Sequence, residues 1–178
     1  MNRASEPFTL AVPVDQTDHV LGPEVGVVVV EYGDFEWPSC AQAYPAVKQL
    51  LKHFEHRIRF AFRHFPLTEV HPHAQLAAEA AEAAGAQHKF WPMYDALFQH
   101  RLHLKAKDLR GYAESLELDL ERFDFELSDQ VYRQRVNEHV ESGRRSGVRA
   151  TPTFFVDGAV IDVSFGLDHL FEAVRQRL

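Results

Sequence analysis

The spacing of apolar residues changes several times along the first part of the chain. Residues 26–32 are almost continuously apolar and β-branched, which is typical of a strand buried on both faces of a sheet. Apolar residues then recur at three- and four-residue steps over residues 44–54, and Pro38 suits a first helical position because its missing N–H needs no partner there. This pattern predicts a helix from Pro38 to about His53. Residues 57–63 alternate basic and apolar side chains, which predicts a second strand buried on one face.

The remainder of the chain is predicted to be a helical block followed by a hairpin and a last helix. The helices are expected over residues 74–84, 90–100, 108–116 and 128–145. The Asp157-Gly158 dipeptide between two short apolar runs predicts a tight β-hairpin, and residues 167–178 have the pattern of an amphipathic helix. No repeat or low-complexity linker interrupts this order. We therefore predict one α/β domain over residues 1–178, with a helical insertion at about residues 72–147.

Composition and charge exclude several classes of function. The 178 residues are 46% hydrophobic and 25% charged, as in an ordinary globular domain, and the net charge of −7 offers no basic face for nucleic acid or anionic lipid. The longest apolar run, residues 27–30, is far shorter than the ~20 residues of a membrane-spanning helix. Residues 1–18 lack the apolar core of an export signal. We expect a cytoplasmic protein with no nucleic-acid or membrane partner.

Three separated motifs resemble the DsbA-like branch of the thioredoxin superfamily. They are VEYGDFE at residues 30–36, RHFPL at residues 63–67 and TPTFFV at residues 151–156, and they follow one another in the order of that family. The resemblance covers nearly the whole chain. It implies a thioredoxin fold, which has a central mixed sheet with flanking helices, and here carries an inserted helical subdomain. It also implies thiol–disulfide oxidoreductase ancestry, with protein or peptide thiols and disulfides, or a small thiol, as partners.

The chain departs from this family at the reacting atom. Family members have Cys-x-x-Cys after the first motif, whereas residues 37–40 here read WPSC, so Trp37 replaces the nucleophilic cysteine. Cys40 is the single cysteine of the chain, which excludes dithiol chemistry within one molecule. Any catalytic role would rest on this lone thiol. The alternative is a half-buried and unreactive cysteine, because Cys40 lies about one turn inside the helix and near acidic residues. Whether the protein is an enzyme is left open.

The same resemblance identifies candidate substrate-binding residues. Thr151-Pro152 is similar to the family's cis-proline, whose preceding residue pairs with an extended substrate, and Trp37, Pro38 and Ser39 form the adjoining turn. Because strand pairing needs main-chain groups and no thiol, a non-catalytic peptide- or ligand-binding module is an alternative, with Trp37 and the Thr151-Pro152 edge forming one apolar groove. A weaker alternative is glutathione-dependent transferase or isomerase activity through Ser39. No cofactor is expected, apart from glutathione as a thiol co-substrate.

Other polar residues are candidates for metal binding or proton transfer. The chain has 11 histidines, but their spacing matches no metal signature, so no metal site is expected. His64, inside the second motif, is assigned to packing. Glu31, near the end of the predicted central strand, is either a buried carboxylate that takes protons or a solvated strand-end residue. The sequence leaves the substrate and the oligomeric state open.

Overall fold

A computed structural model describes residues 8–178, and a five-stranded mixed sheet lies at its centre. The strands are β1 (Val20–Leu21), β2 (Val27–Gly33), β3 (Ile58–His64), β4 (Thr153–Val156) and β5 (Ala159–Ile161). Their order across the sheet is β1-β3-β2-β4-β5. The pair β2 and β3 is parallel, while β1 and β4 run antiparallel to their neighbours, as does β5. This is the mixed sheet of the thioredoxin fold, so the predicted fold class is confirmed.

Within residues 8–178, seven helices cover the sheet and form the insertion. They are α1 (Pro38–His53), α2 (Ala74–Ala86), α3 (Phe90–Gln99), α4 (Ala106–Ser115), α5 (Leu120–Ser128), α6 (Arg133–Arg145) and α7 (Asp168–Arg175). The first helix has the predicted bounds. The insertion contains five helices where four were predicted, because Asp119 caps an additional short one by accepting a hydrogen bond from the Arg122 N–H at 3.0 Å.

The central strand β2 is buried on both faces, as its composition predicted. Val27 and Val29 belong to the apolar cluster on one side of the sheet, whereas Val30 and Tyr32 belong to the cluster on the other side. The period of two along a strand sends alternate side chains to opposite faces, so a continuous apolar run fills both. The end of β2 is therefore held firmly between two packed layers.

The prediction that β3 is buried on one face only is wrong. Arg63 is 2% exposed, although it belongs to the basic set of the alternating pattern. Its guanidinium donates two hydrogen bonds of 2.8 Å to the Asp18 carboxylate and a third, of 3.0 Å, to the Tyr32 hydroxyl. The N-terminal segment that carries Asp18 thus covers the second face of the strand and compensates the buried charge.

The predicted hairpin has the expected turn. Asp157 and Gly158 have φ values of 45° and 83°, and positive φ at both central residues defines the turn type that matches the twist of paired strands. No described helix is long and apolar enough to cross a lipid bilayer. The first seven residues, which the single-domain and export-signal predictions include, lie outside the described residues. The single domain and the cytoplasmic location stay predictions.

Candidate functional site

The WPSC segment lies where β2 ends and α1 begins. Trp37 is the N-cap residue of α1, and its side chain makes no capping hydrogen bond. The Trp37 N–H donates to the Asp34 carbonyl at 3.3 Å, which closes the turn between strand and helix. Pro38 occupies the first helical position, as predicted. The turn therefore places an indole at the N-cap of α1, next to the start of the helix.

The lone thiol of Cys40 is sealed inside the protein. Its exposed fraction is 0%, and its Sγ atom accepts a 3.5 Å hydrogen bond from the Asp34 N–H. Burial raises the pKa of this thiol far above its usual range, and the nearby carboxyl groups of Glu31 and Asp34 raise it further. Because only the thiolate is a good nucleophile, the geometry favours the unreactive alternative for Cys40.

A second buried acid lies close to this thiol. Glu31 is 1% exposed, and within residues 8–178 its Oε2 atom has no hydrogen-bond partner. Burial without compensation raises the pKa of the carboxyl group to about 8, so this group is mainly protonated at neutral pH. The alternative of a solvated strand-end residue is wrong. At neutral pH the Glu31 carboxyl group and the Cys40 thiol are therefore both mainly uncharged, and both are buried near the turn between β2 and α1.

Asp34 organises the turn, a role that the sequence did not reveal. Its carboxylate accepts hydrogen bonds from the N–H groups of Glu36 at 2.8 Å and Leu67 at 2.9 Å, and it lies 2.7 Å from Nδ1 of His71. The His71 ring packs against Trp37, with ring centroids 5.0 Å apart. Asp34 thus ties the loop after β3 to the start of α1 and fixes one side of the indole.

The Thr151–Pro152 peptide bond is cis, and it borders an open groove. This Pro152 groove has a volume of about 550 Å³. Its lining residues are Ser39, Gln42, Ala43 and Ala46 of α1, Thr151 and Pro152, and Val163, Ser164, Gly166 and Leu167 of the loop before α7. No charged side chain is among them. The structure therefore brings Ser39, Thr151 and Pro152 together, as the sequence analysis expected.

Trp37 and Pro38 line a different cavity. The Trp37 depression has a volume of about 380 Å³, and its walls include Glu36, His71, His73 and the loop between α3 and α4. Trp37 does not line the Pro152 groove. The expectation that Trp37 and the Thr151-Pro152 edge form one apolar groove is therefore wrong, because the first residues of α1 stand between the two cavities.

A buried cluster of histidines surrounds Glu82, outside the turn. The two carboxylate oxygens of Glu82 lie 2.9 Å from Nε2 of His19 and 2.8 Å from Nε2 of His64. His139 completes a group whose ligand atoms converge within 4.8 Å. However, Nδ1 of His139 accepts a 3.1 Å hydrogen bond from the His64 N–H, which places the imidazole proton on Nε2. Metal ligation by His139 would break this bond, whereas within residues 8–178 its Nε2 and the Nδ1 of His64 have no hydrogen-bond partner.

Comparison with known proteins agrees with this fold. A family model described as thioredoxin matches residues 15–176. The crystal structure of oxidised BdbD from Bacillus subtilis superimposes with a TM-score of 0.86 at 22% sequence identity and covers 96% of this chain and 98% of its own. A thioredoxin-like oxidoreductase from Silicibacter pomeroyi superimposes with a TM-score of 0.77 at 26% identity, covering 92% of this chain and 93% of that one.

The chain is also similar to part of a longer protein. The Na(+)/H(+) antiporter NhaA 1 of Salinispora arenicola is 53% identical over 167 residues, which make up 93% of this chain and 26% of that relative. The chain thus spans about a quarter of the length of this curated relative.

Proposed function

Because the chain belongs to the thioredoxin family, in its DsbA-like branch, we propose that it binds extended polypeptide segments in the Pro152 groove without exchanging disulfides. One observation carries this proposal: the sulfur is sealed in the core while the groove beside it is open. Cys40 is 0% exposed, whereas Ser39, the residue before it, lines the groove together with Thr151 and Pro152. Adjacent residues of α1 therefore differ in environment, because Ser39 lines the groove while the Cys40 sulfur is buried in the core.

Main-chain groups at the groove support strand-like pairing with a ligand. Within residues 8–178, neither the N–H nor the C=O of Thr151 takes part in a main-chain hydrogen bond. An extended peptide can satisfy both groups by running alongside this residue, which is how polypeptides are recognised through strand addition. The small side chains of Ser39, Ala43 and Ala46 leave room for the side chains of such a ligand.

The proposal is tested with an unfolded polypeptide that contains no reactive thiol. Reduced and carboxamidomethylated α-lactalbumin, labelled with a fluorophore, serves as the probe, and binding is followed by fluorescence anisotropy. We expect the wild type and Cys40→Ala to bind with equal affinity, because the sulfur takes no part. We expect Ala46→Lys to weaken binding at least tenfold, because the long side chain fills the groove.

A matched variant controls for the added charge. Gln49 is exposed on the same helix and does not line the groove, so Gln49→Lys is expected to leave binding unchanged. Equal binding by Ala46→Lys and the wild type would show that the groove is not the site. Formation of a mixed disulfide by folded wild-type protein with an oxidised peptide would instead favour the lone-thiol enzyme.

A further inference from the structure

We infer that the polypeptide bound at this face is acidic, with carboxylates next to the segment that lies in the Pro152 groove. This inference rests on the proposed function and names its ligand class. It comes from the charged side chains around the turn, where cations outnumber carboxylates although the whole chain has a net negative charge.

Three cavities meet around the turn. Besides the Pro152 groove and the Trp37 depression, there is a Phe65 depression of about 450 Å³, lined by residues 65–70 and by Val140, Arg144, Val148 and Arg149. Residues 67–71 run from the Phe65 depression to the Trp37 depression. Residues 149–152 run from the Phe65 depression to the Pro152 groove. The three cavities therefore adjoin one another around the start of α1, so a ligand that extends beyond the Pro152 groove can reach the charged residues of the other two.

Side chains with a fixed positive charge outnumber carboxylates in these walls. The cations are Arg101 and Lys105 in the Trp37 depression and Arg144 and Arg149 in the Phe65 depression, and the carboxylates are Glu36 and Glu69. The whole chain, in contrast, carries a net charge of −7. The acidic surplus thus lies elsewhere on the molecule, and the face with the groove attracts negative charge.

These cations are not neutralised by neighbours. Among the described residues, no charged side-chain nitrogen of these four lies within 4.0 Å of a carboxylate oxygen, although the backbone N–H of Lys105 donates to the Asp108 carboxylate at 3.1 Å. Glu36 has both carboxylate oxygens engaged by His73, one with its N–H at 2.8 Å and one with its Nδ1 at 2.9 Å. Arg101 and Lys105 are therefore available to a ligand's carboxylates. Leu102 between them is 75% exposed and offers an apolar contact beside Trp37.

The shape of the face favours a polypeptide over a lipid surface. The cations stand on the walls of concave depressions that adjoin an uncharged groove. A chain with alternating apolar and acidic side chains can enter all three cavities at once, whereas a planar bilayer contacts only their rims. We therefore commit to an acidic polypeptide segment and treat anionic lipid as a competing outcome of the test.

The test compares two synthetic 12-residue peptides of identical sequence, except that four glutamates in one are glutamines in the other. We expect the acidic peptide to bind the wild type more tightly, and its advantage to shrink as the salt concentration rises from 50 to 300 mM. The double variant Arg101→Ser, Lys105→Ser should weaken binding of the acidic peptide about 2- to 30-fold and leave the glutamine peptide unaffected.

A control double variant removes the same charge far from the turn. Lys52 is exposed in the last turn of α1, and Arg133 is exposed at the first residue of α6, at the opposite end of that helix from Arg144. Lys52→Ser, Arg133→Ser should bind the acidic peptide as the wild type does. If both double variants weaken binding equally, only overall charge matters and the inference fails.

The remaining outcomes separate this inference from the proposed function. Equal affinity of the wild type for both peptides would refute the preference for acid while leaving polypeptide binding intact. Failure of both peptides and of the unfolded α-lactalbumin probe would refute the proposed function itself. Binding to phosphatidylglycerol vesicles without binding to the acidic peptide would overturn the inference in favour of a lipid ligand.

Discussion

Replacement of Glu31 by glutamine should remove a large part of the pH dependence of stability. Burial raises the pKa of the carboxyl group from 4.5 to about 8 in the folded protein, whereas the unfolded chain titrates near 4.5. Below pH 4.5 the group is protonated in both states and contributes nothing. Between pH 4.5 and 8 the unfolded chain releases the proton that the folded protein keeps, so the free energy of unfolding falls as the pH rises. Above pH 8 the loss is complete.

The magnitude follows from the displacement of this pKa. Each unit of difference between the folded and unfolded states corresponds to 1.36 kcal/mol, so the wild type should lose about 3 kcal/mol from this group between pH 5 and pH 8. Glu31→Gln keeps the shape of the side chain but cannot ionise. The variant should therefore lose about 3 kcal/mol less than the wild type over the same interval, whatever the glutamine costs at a fixed pH.

Urea denaturation at pH 5 and at pH 8 measures this difference, and the comparison cancels the contribution of histidines that both proteins share. Glu172→Gln is the matched control, because Glu172 is exposed on α7 and paired with Arg175 at 2.8 Å. It should follow the wild type within about 1 kcal/mol. If Glu31→Gln also follows the wild type within 1 kcal/mol, the carboxyl group is ionised at neutral pH and the account of the neutral pair with Cys40 is refuted.

Three further predictions concern the Cys40 thiol, the residue at position 37 and the buried ion pair of Asp18 with Arg63. Alkylation of Cys40 by iodoacetamide should be slow in the folded protein and become fast only on unfolding, and rapid labelling below pH 8.5 would contradict the sealed thiol. Trp37→Cys should gain insulin-disulfide reduction in the presence of dithiothreitol, an activity that the wild type should lack. Asp18→Asn should lower the free energy of unfolding by about 3–5 kcal/mol, because it leaves the buried Arg63 without its carboxylate partner. Arg110→Ala removes an exposed ion pair and should cost less than about 1 kcal/mol. Urea titration measures both values.

Elements with local signals were predictable from the sequence. The bounds of α1 follow from Pro38 at its start and from the apolar spacing of the helix, and the hairpin follows from the Asp157-Gly158 turn. The two-sided burial of β2 follows from its continuous apolar run. In each case, residues within one element carry the whole signal, so no knowledge of distant contacts is needed.

Buried polar residues were harder to predict, because their partners lie far along the chain. Arg63 reads as a solvent-facing residue until Asp18, 45 positions away, is placed against it. Asp34 reads as a turn residue, yet it bonds groups 33 and 37 positions further on. A period-two pattern reports which side chains share a face, but it does not report what covers that face.

At the candidate site, too, the motifs predict some features, whereas others depend on contacts between residues that are far apart in the sequence. The family resemblance groups Ser39 with Thr151 and Pro152, and all three residues line the Pro152 groove. It did not separate Trp37 from that group, because the position of the indole depends on its contact with His71, which Asp34 holds in place.

That separation bears on the proposed binding. Trp37, the N-cap residue of α1, lines the Trp37 depression, whereas the Pro152 groove is lined by later residues of the helix and by the cis-proline loop. A substitution at the N-cap therefore changes none of the residues that line the groove. Cys40, packed at 0% exposure, contributes to the core whether or not a second sulfur is present. The proposed polypeptide binding therefore does not depend on the residue at the N-cap, and Trp37→Cys should introduce disulfide chemistry without changing that binding.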